Sequence, residues 1–271
     1  MVNEKRYIED LYLTRGLSSR QIADIFGVSH PTILKRMRRF EIPRRPHARK
    51  IENTNFRRMT KEKAYILGVM CGDGCLWKGF SKKKQVTKIS PNPEYHIRLV
   101  SIDKDFVDYF SECMKKIYGM QLSYKFRESK NIKSSDTHTV YCRRKEIFND
   151  VASYGNFSTS AWNVPKKILN SDKKKIIGSF LRGFFDSEGT VSDRKYHLYV
   201  MAFSTNLNGS KQIIGLLKRL EIRPTKISFY RNYYYFGISN KDGLVKFRKY
   251  VGFSIGRKLK RLESAIGQYS R

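Results

Sequence analysis

Apolar residues recur at helical spacing through the first forty positions. Tyr7, Ile8, Leu11 and Tyr12 mark a short helix that stops near Gly16. Ile22, Ile25 and Phe26 mark a second. Ile33 and Met37 mark a third, whose other positions, Lys35, Arg36, Arg38 and Arg39, stay polar. Ser18 and Gln21 are spaced as a capping box for the second helix. Gly27 is the turn and Val28 packs inward. Ser29 caps the third helix, with Pro31 in its first turn, where a missing N–H costs nothing. Residues 42–50, IPRRPHARK, are basic and broken by prolines, which prevents a packed element.

From residue 60 onward the pattern repeats. An apolar helix at 62–74, EKAYILGVMCGDG, is followed by strands at 75–80 and 94–101 and a helix at 103–118. Strands QLSYKFRES and THTVYCRR and a helix at 145–154 complete the half. A second apolar helix at 174–189, KKIIGSFLRGFFDSEG, leads to TVSDR, a strand at 196–204 and a helix at 207–220. Strands TKISFYRN and YYYFGISN and a helix at 242–251 follow, then a charged helix at 256–269. Each half reads α-β-β-α-β-β-α, so the fold class is α+β. Within the strands, Ile97 and Leu99 alternate with His96 and Arg98. Leu122, Tyr124 and Phe126 alternate with Ser123, Lys125 and Arg127, and Ile227 and Phe229 with Lys226, Ser228 and Tyr230. This predicts sheets with one apolar face under helices and one basic, aromatic-studded face open to a partner.

Charge names the class of partner. The chain has 55 Lys+Arg against 24 Asp+Glu, a formal net charge of +31. Such an excess, spread over the whole length, is the footprint of a polyanion binder. The open strand faces nominate His96, Arg98, Lys125, Arg127, Tyr141, Arg143, Ser192, Arg194, Lys226, Ser228, Tyr230, Tyr233 and Tyr235 for DNA, read in the major groove. No apolar run reaches roughly 18 residues, and the first residues lack the apolar core of a secretory signal. An intracellular protein, in the cytoplasm or nucleoid with no membrane partner, is expected. The four cysteines, 71, 75, 113 and 142, are expected to be reduced and mostly buried. Cys71 and Cys75 have no second Cys/His pair to build a zinc site.

SSRQIADIFGVSHPTILKRMRRF resembles a helix-turn-helix, with small Ala23 at the helix crossing, Gly27 at the turn and Ile33 in the core. In such a unit the start of the last helix enters the major groove. Ser29, His30, Thr32 and Lys35 are then candidates for base edges, and Arg36 and Arg38 for phosphates. Arg44 and Arg45 lie in the basic strap, which can follow a DNA backbone.

The two apolar helices share a second pattern. Gly68 and Gly72 stand four apart, as do Gly183 and Ser187, and each helix ends in an acid and a glycine. Residues four apart share a helix face, so two such faces can pack unusually closely. Asp73 and Glu188, 115 residues apart, would then emerge side by side. ILGVMCGDG and LRGFFDSEG resemble the paired signature of the LAGLIDADG homing endonucleases, over roughly residues 60–265. The resemblance implies a monomer whose two pseudo-symmetric αββαββα halves form an antiparallel-sheet saddle on double-stranded DNA. It implies Asp73 and Glu188 as catalytic metal-binding acids, helped by the main-chain carbonyls of Gly72 and Ser187, with Mg²⁺ or Mn²⁺ as cofactor. It also implies double-strand cuts with short 3′ overhangs and a basic catalytic residue after each half. Lys258 is the candidate in the second half, with Arg257 and Lys260 as alternatives. The matching first-half stretch, GNFSTSAWNVP, has no Lys or Arg, which leaves equal cutting of both strands open.

The domains expected are a helix-turn-helix at 1–42, a basic linker at 43–59, a first half at 60–157, an inter-half linker at 158–171 and a second half at 172–271. Four lysines in SKKKQVTKISPNP, 81–93, suggest a hairpin tip that reaches phosphates. Two alternatives remain open. One is a transcription regulator on the same scaffold. The other is an intron maturase with intron RNA as partner. An intein is disfavoured, because the chain starts with Met1 and ends in GQYSR.

Overall fold

A computed structural model describes residues 2–15, 17–43, 51, 53–80, 93–129 and 135–269. The chain divides into two compact units, Met1–Lys50 and Ile51–Arg271. Arg44, Arg45 and nearly all of the lysine-rich segment 81–93 lie outside the described residues.

In the first unit, α1 (Val2–Glu9) runs into a π-helical turn (Asp10–Thr14), followed by α2 (Ser19–Ile25) and α3 (His30–Arg39). Ile8, Leu11, Ile22, Ala23, Ile33, Met37 and Ile42 form the core. The Ser18–Gln21 capping box is formed, and Gly27 takes the left-handed conformation, φ +62°, that its turn requires. Two expectations need correction. Ser29 occupies the N-cap of α3, yet its hydroxyl pairs with Thr32 Oγ1 at 2.8 Å and makes no cap bond. Ile25 is 51% exposed. At about 100° per residue, a buried stripe centred between Ile22 and Phe26 turns Ile25 outward.

The second unit begins with chain already packed on its core. Ile51, Phe56 and Met59 contact the core, and Asn53 Nδ2 donates to the Ile117 carbonyl at 2.9 Å. These residues belong to the stretch 43–59 that the sequence assigns to the linker. Helix α4 (Lys61–Met70) is capped by the Thr60 hydroxyl, and every residue from Lys63 to Met70 is buried. Then come β1 (Cys75–Gly79), β2 (Glu94–Ser101), α5 (Lys104–Tyr118), β3 (Ser123–Arg127), β4 (Thr137–Cys142), α6 (Lys145–Ala152) and a short α7 (Lys166–Leu169). The second half is α8 (Lys174–Glu188), β5 (Gly189–Arg194), β6 (His197–Ser204), α9 (Leu207–Arg219), β7 (Ser228–Tyr230), β8 (Tyr233–Ile238), α10 (Lys241–Tyr250) and α11 (Gly256–Gln268). Both halves give four-stranded antiparallel sheets of matching order, β1-β2-β4-β3 and β5-β6-β8-β7. This is an α+β fold of two equivalent halves, with one continuous hydrophobic cluster running through both. The inter-half stretch 158–171 buries Trp162, Val164 and Ile168 in that cluster.

The outer strands depart from the expected alternation. Every residue of β3 and β7 is exposed, with Phe126 at 47% and Phe229 at 60%. Both strands are sheet edges, while α5 and α6 pack on the inner strands β2 and β4. Alternation therefore sets the two sides of β3 and β7 but buries neither.

Candidate catalytic acids and nucleic-acid interface

Helices α4 and α8 meet backbone to backbone. A Cβ on Gly68 would lie 2.0 Å from the Phe180 carbonyl oxygen, and one on Gly183 would lie 2.1 Å from that of Tyr65. Only glycine fits at either point. Four residues further on, a Cβ on Gly72 would lie 2.4 Å from Ser187 Cβ and 3.1 Å from Glu188 Cγ. The ends of the two motifs thus converge, and each acid stands directly beside this contact.

The two ends are not alike, contrary to the sequence expectation. Helix α4 stops at Met70, and Cys71–Asp73 form a turn closed by Gly74 N–H donating to the Val69 carbonyl at 2.9 Å. Helix α8 stays helical through Glu188. Asp73 therefore keeps an exposed edge, while Glu188 is half-buried. Burial pushes Glu188 up to about 7, and the neighbouring Asp73 charge adds to the rise. Burial raises Asp73 as well, and Lys258 opposes the rise at both acids.

Lys258 reaches this site from α11. It is 7% exposed, and its Nζ donates to the carbonyls of Asp186 at 2.6 Å and Phe185 at 3.3 Å. An ammonium on the last carbonyls of α8 sits at the negative end of the helix dipole. Burial lowers its own pKa, and Asp186 opposes that. Of the alternatives, Arg257 is held by both oxygens of Asp103 at 2.6 and 2.7 Å, and Lys260 is exposed.

Two buried acids escaped the sequence reading. Asp186, 1% exposed, accepts from Tyr65 Oη at 2.9 Å, Ser254 N–H at 3.0 Å and Ser254 Oγ at 2.6 Å. Burial pushes it up to about 6 against those bonds. Two acids in DSEG were visible in the sequence, and a two-residue offset on a helix places them about 200° apart. Glu188 therefore faces Asp73 while Asp186 faces the core. Asp150 is the second. It accepts from the Tyr118 hydroxyl at 2.6 Å and pairs with fully buried Lys63. At the place matching Lys63, 115 residues on, the second half has Gly178, where a Cβ would lie 2.1 Å from the Tyr250 carbonyl oxygen. Close backbone contact there replaces an ion pair.

The donor set at the acid pair is hard oxygen: two carboxylates and the carbonyls of Gly72 and Ser187 belong to the converging ends. That chemistry fits Mg²⁺ or Mn²⁺, which need few protein carboxylates and keep several waters. Among the described residues no group of three or more His, Cys, Asp or Glu is placed to hold a metal.

The strands leave the acids directly, β1 two residues after Asp73 and β5 immediately after Glu188. The register puts Cys75, Arg98, Tyr141 and Ser123 in one row, with Trp77 opposite His96, and Lys125 and Arg127 further along. All of these side chains share the face away from Ile97, Leu99 and Val140. In the second sheet Ser192, Arg194, Ser228, Tyr230, Tyr233 and Tyr235 share the face away from Val191, Val200 and Phe236. Arg143 lies just past β4 and Lys226 just before β7, both exposed. Within the first unit Lys35 and Arg38 are exposed, His30 Nε2 bonds Ser19 Oγ at 2.9 Å, and Ser29 and Thr32 bond each other. Arg36 is paired to Glu4 at 2.6 Å, so its expected phosphate contact would have to break that bond.

Comparison with known proteins agrees with this architecture. Residues 175–252 match a LAGLIDADG-like domain, and residues 85–168 match the WhiA LAGLIDADG-like domain. Glu188 lies inside the matched spans and Asp73 outside them. An uncharacterized protein of Methanocaldococcus jannaschii is 28% identical over 76% of this chain and 71% of its own length. A DNA polymerase of the same organism is 24% identical, and the chain spans only 12% of its length. The homing endonuclease I-DmoI in complex with DNA and Mn superposes with a TM-score of 0.52 at 17% identity, covering 72% of this chain and 97% of that one. The homing endonuclease I-WcaI bound to its DNA recognition sequence gives 0.52 at 14% identity, covering 81% and 96%. No helix among the described residues is long and apolar enough to cross a membrane. The chain thus carries two LAGLIDADG-like domains in the double LAGLIDADG fold shared with homing endonucleases.

Proposed function

We propose that this chain is a divalent-metal-dependent, site-specific DNA endonuclease acting as a monomer on a long asymmetric duplex site. The observation that carries the reading is the convergence of Asp73 and Glu188 at the Gly72–Ser187 contact, with the Lys258 ammonium set behind them. Each carboxylate is raised by burial, and the two repel, which is the state a bound cation relieves. Asp73, Glu188 and the carbonyls of Gly72 and Ser187 would hold Mg²⁺ or Mn²⁺. When bound, the cation neutralises charge on the attacked phosphate and lowers the pKa of a bound water. Lys258 keeps positive charge beside the acids and fixes the last turn of α8 through two carbonyls. The open sheet faces hold the duplex, and the first unit extends the contact as a helix-turn-helix tethered to the saddle.

The other reading is a DNA-binding regulator that does not cut. The match of the first half to the WhiA LAGLIDADG-like domain favours it. Nothing found supports an intron RNA partner. The deciding experiment is cleavage of a supercoiled plasmid pool carrying diverse sites with Mg²⁺, beside the Asp73→Asn, Glu188→Gln double variant. Metal-dependent double-strand cuts with short 3′ overhangs, absent in the variant, are expected. Specific binding without cuts would move the assignment to the regulator.

A further inference from the structure

The two open sheet faces carry different chemistry. On the first, Arg98 on β2 and Lys125 and Arg127 on β3 share the face across the intervening β4, with Trp77 and Tyr141 as the aromatic members. On the second, Tyr199, Phe203, Tyr230, Tyr233 and Tyr235 share the face, and Arg194 at the far end of β5 is its strand cation. Phe203 and Tyr235 stack, with ring centroids 5.9 Å apart, and Phe203, Tyr230 and Tyr233 are exposed. The halves repeat the same fold, so this contrast is not imposed by architecture.

Base edges respond differently to the two kinds of surface. Arg and Lys pair best with the N7 and O6 acceptors of guanine, while apolar and aromatic groups pack on the C5-methyl of thymine. We infer that the chain reads an asymmetric duplex whose first half-site, under β1–β4, is rich in guanine. The second half-site, under β5–β8, is rich in thymine. The inference rests on the DNA-recognition part of the proposed function and is independent of whether the acids cut.

The test uses the full chain with EDTA, so that binding is read without cleavage. Sites are selected from a randomised duplex library and sequenced. The selected site is then rebuilt with 7-deazaguanine in place of guanine, or deoxyuridine in place of thymine, one half at a time. Guanine enrichment in one half and thymine enrichment in the other are expected. Deazaguanine should weaken binding roughly tenfold per contacted base in the first half only, and deoxyuridine should act in the second half only. Arg98→Ala should relax selection at guanine positions and leave the thymine half intact, while Tyr235→Ala should do the reverse. Both residues face outward, and circular dichroism of each variant checks that it folds. Halves of equal composition, or base analogues acting equally on both, would overturn the inference while leaving sequence-specific binding in place. Selection of no sequence at all would instead remove the site-specific reading beneath it.

Discussion

Glu188→Gln keeps the size of the side chain and removes the charge that its surroundings resist. The carboxyl stands at about 7 in the folded protein against an ordinary value of 4.5. A folded-state pKa above the unfolded one means that the folded protein holds more proton between pH 4.5 and 7, so stability is lost as pH rises through that window. Each tenfold change in proton affinity is worth about 1.4 kcal/mol, which sets an upper bound of about 3 kcal/mol at pH 8. Glu188 is half-buried, and solvent screening reduces the effect to about 1–2 kcal/mol. Glutamine should therefore stabilise the metal-free protein at pH 8 and change little at pH 5. For a unit of this size the gain is about 2–4 °C in Tm per kcal/mol. The assay is thermal unfolding of the full chain in EDTA at both pH values. Millimolar Mg²⁺ should stabilise wild type and leave the Asp73→Asn, Glu188→Gln protein unmoved, because binding to the folded state alone raises stability. A variant no more stable than wild type at pH 8, or one with the same gap at pH 5, would refute the reasoning.

Other perturbations probe the scaffold. Gly68→Ala forces a Cβ to 2.0 Å from the Phe180 carbonyl and should cost roughly 3 kcal/mol or more in denaturant unfolding. Gly215→Ala, on α9 with nothing within 4 Å, should instead stabilise by about 0.5–1 kcal/mol. Lys63→Met strands the buried Asp150 carboxylate and should cost about 3–5 kcal/mol, most of it recovered in the Lys63→Met, Asp150→Leu double variant. Ser254→Ala removes the hydroxyl bond to Asp186 at 2.6 Å and the hydroxyl contact with Tyr65 at 3.0 Å, keeps the main-chain N–H bond to Asp186, and should cost about 1–2 kcal/mol by the same measurement.

Much of this was legible in the residues, because the repeat is written twice. Gly68/Gly72 and Gly183/Ser187 carry the close crossing, and a crossing of that kind brings the residues just beyond it together. The strand registers kept the nominated side chains on shared faces because alternation has a period of two. What escaped depended on relations between distant segments. The buried Lys63–Asp150 pair spans 87 residues, and its two charges look like ordinary surface residues in a chain so rich in lysine. Asp186 is satisfied by Ser254, in the loop before α11, and by Tyr65 in the other half. The exposed β3 and β7 follow from sheet order, which alternation does not encode. Trp162, Val164 and Ile168 are spaced too irregularly to show helical or strand period, yet tertiary packing buries all three.

In the proposed function, Asp73 and Glu188 together give this LAGLIDADG-like fold its nuclease activity. The most direct measurement takes a site selected by the metal-free protein, labels each strand at its end, and follows cleavage after Mg²⁺ is added. Metal-dependent breaks in both strands within the selected site are expected, staggered to leave short 3′ overhangs, and none with the Asp73→Asn, Glu188→Gln protein bound to the same duplex. Tight binding with both strands intact, or cutting that survives loss of both acids, would contradict it.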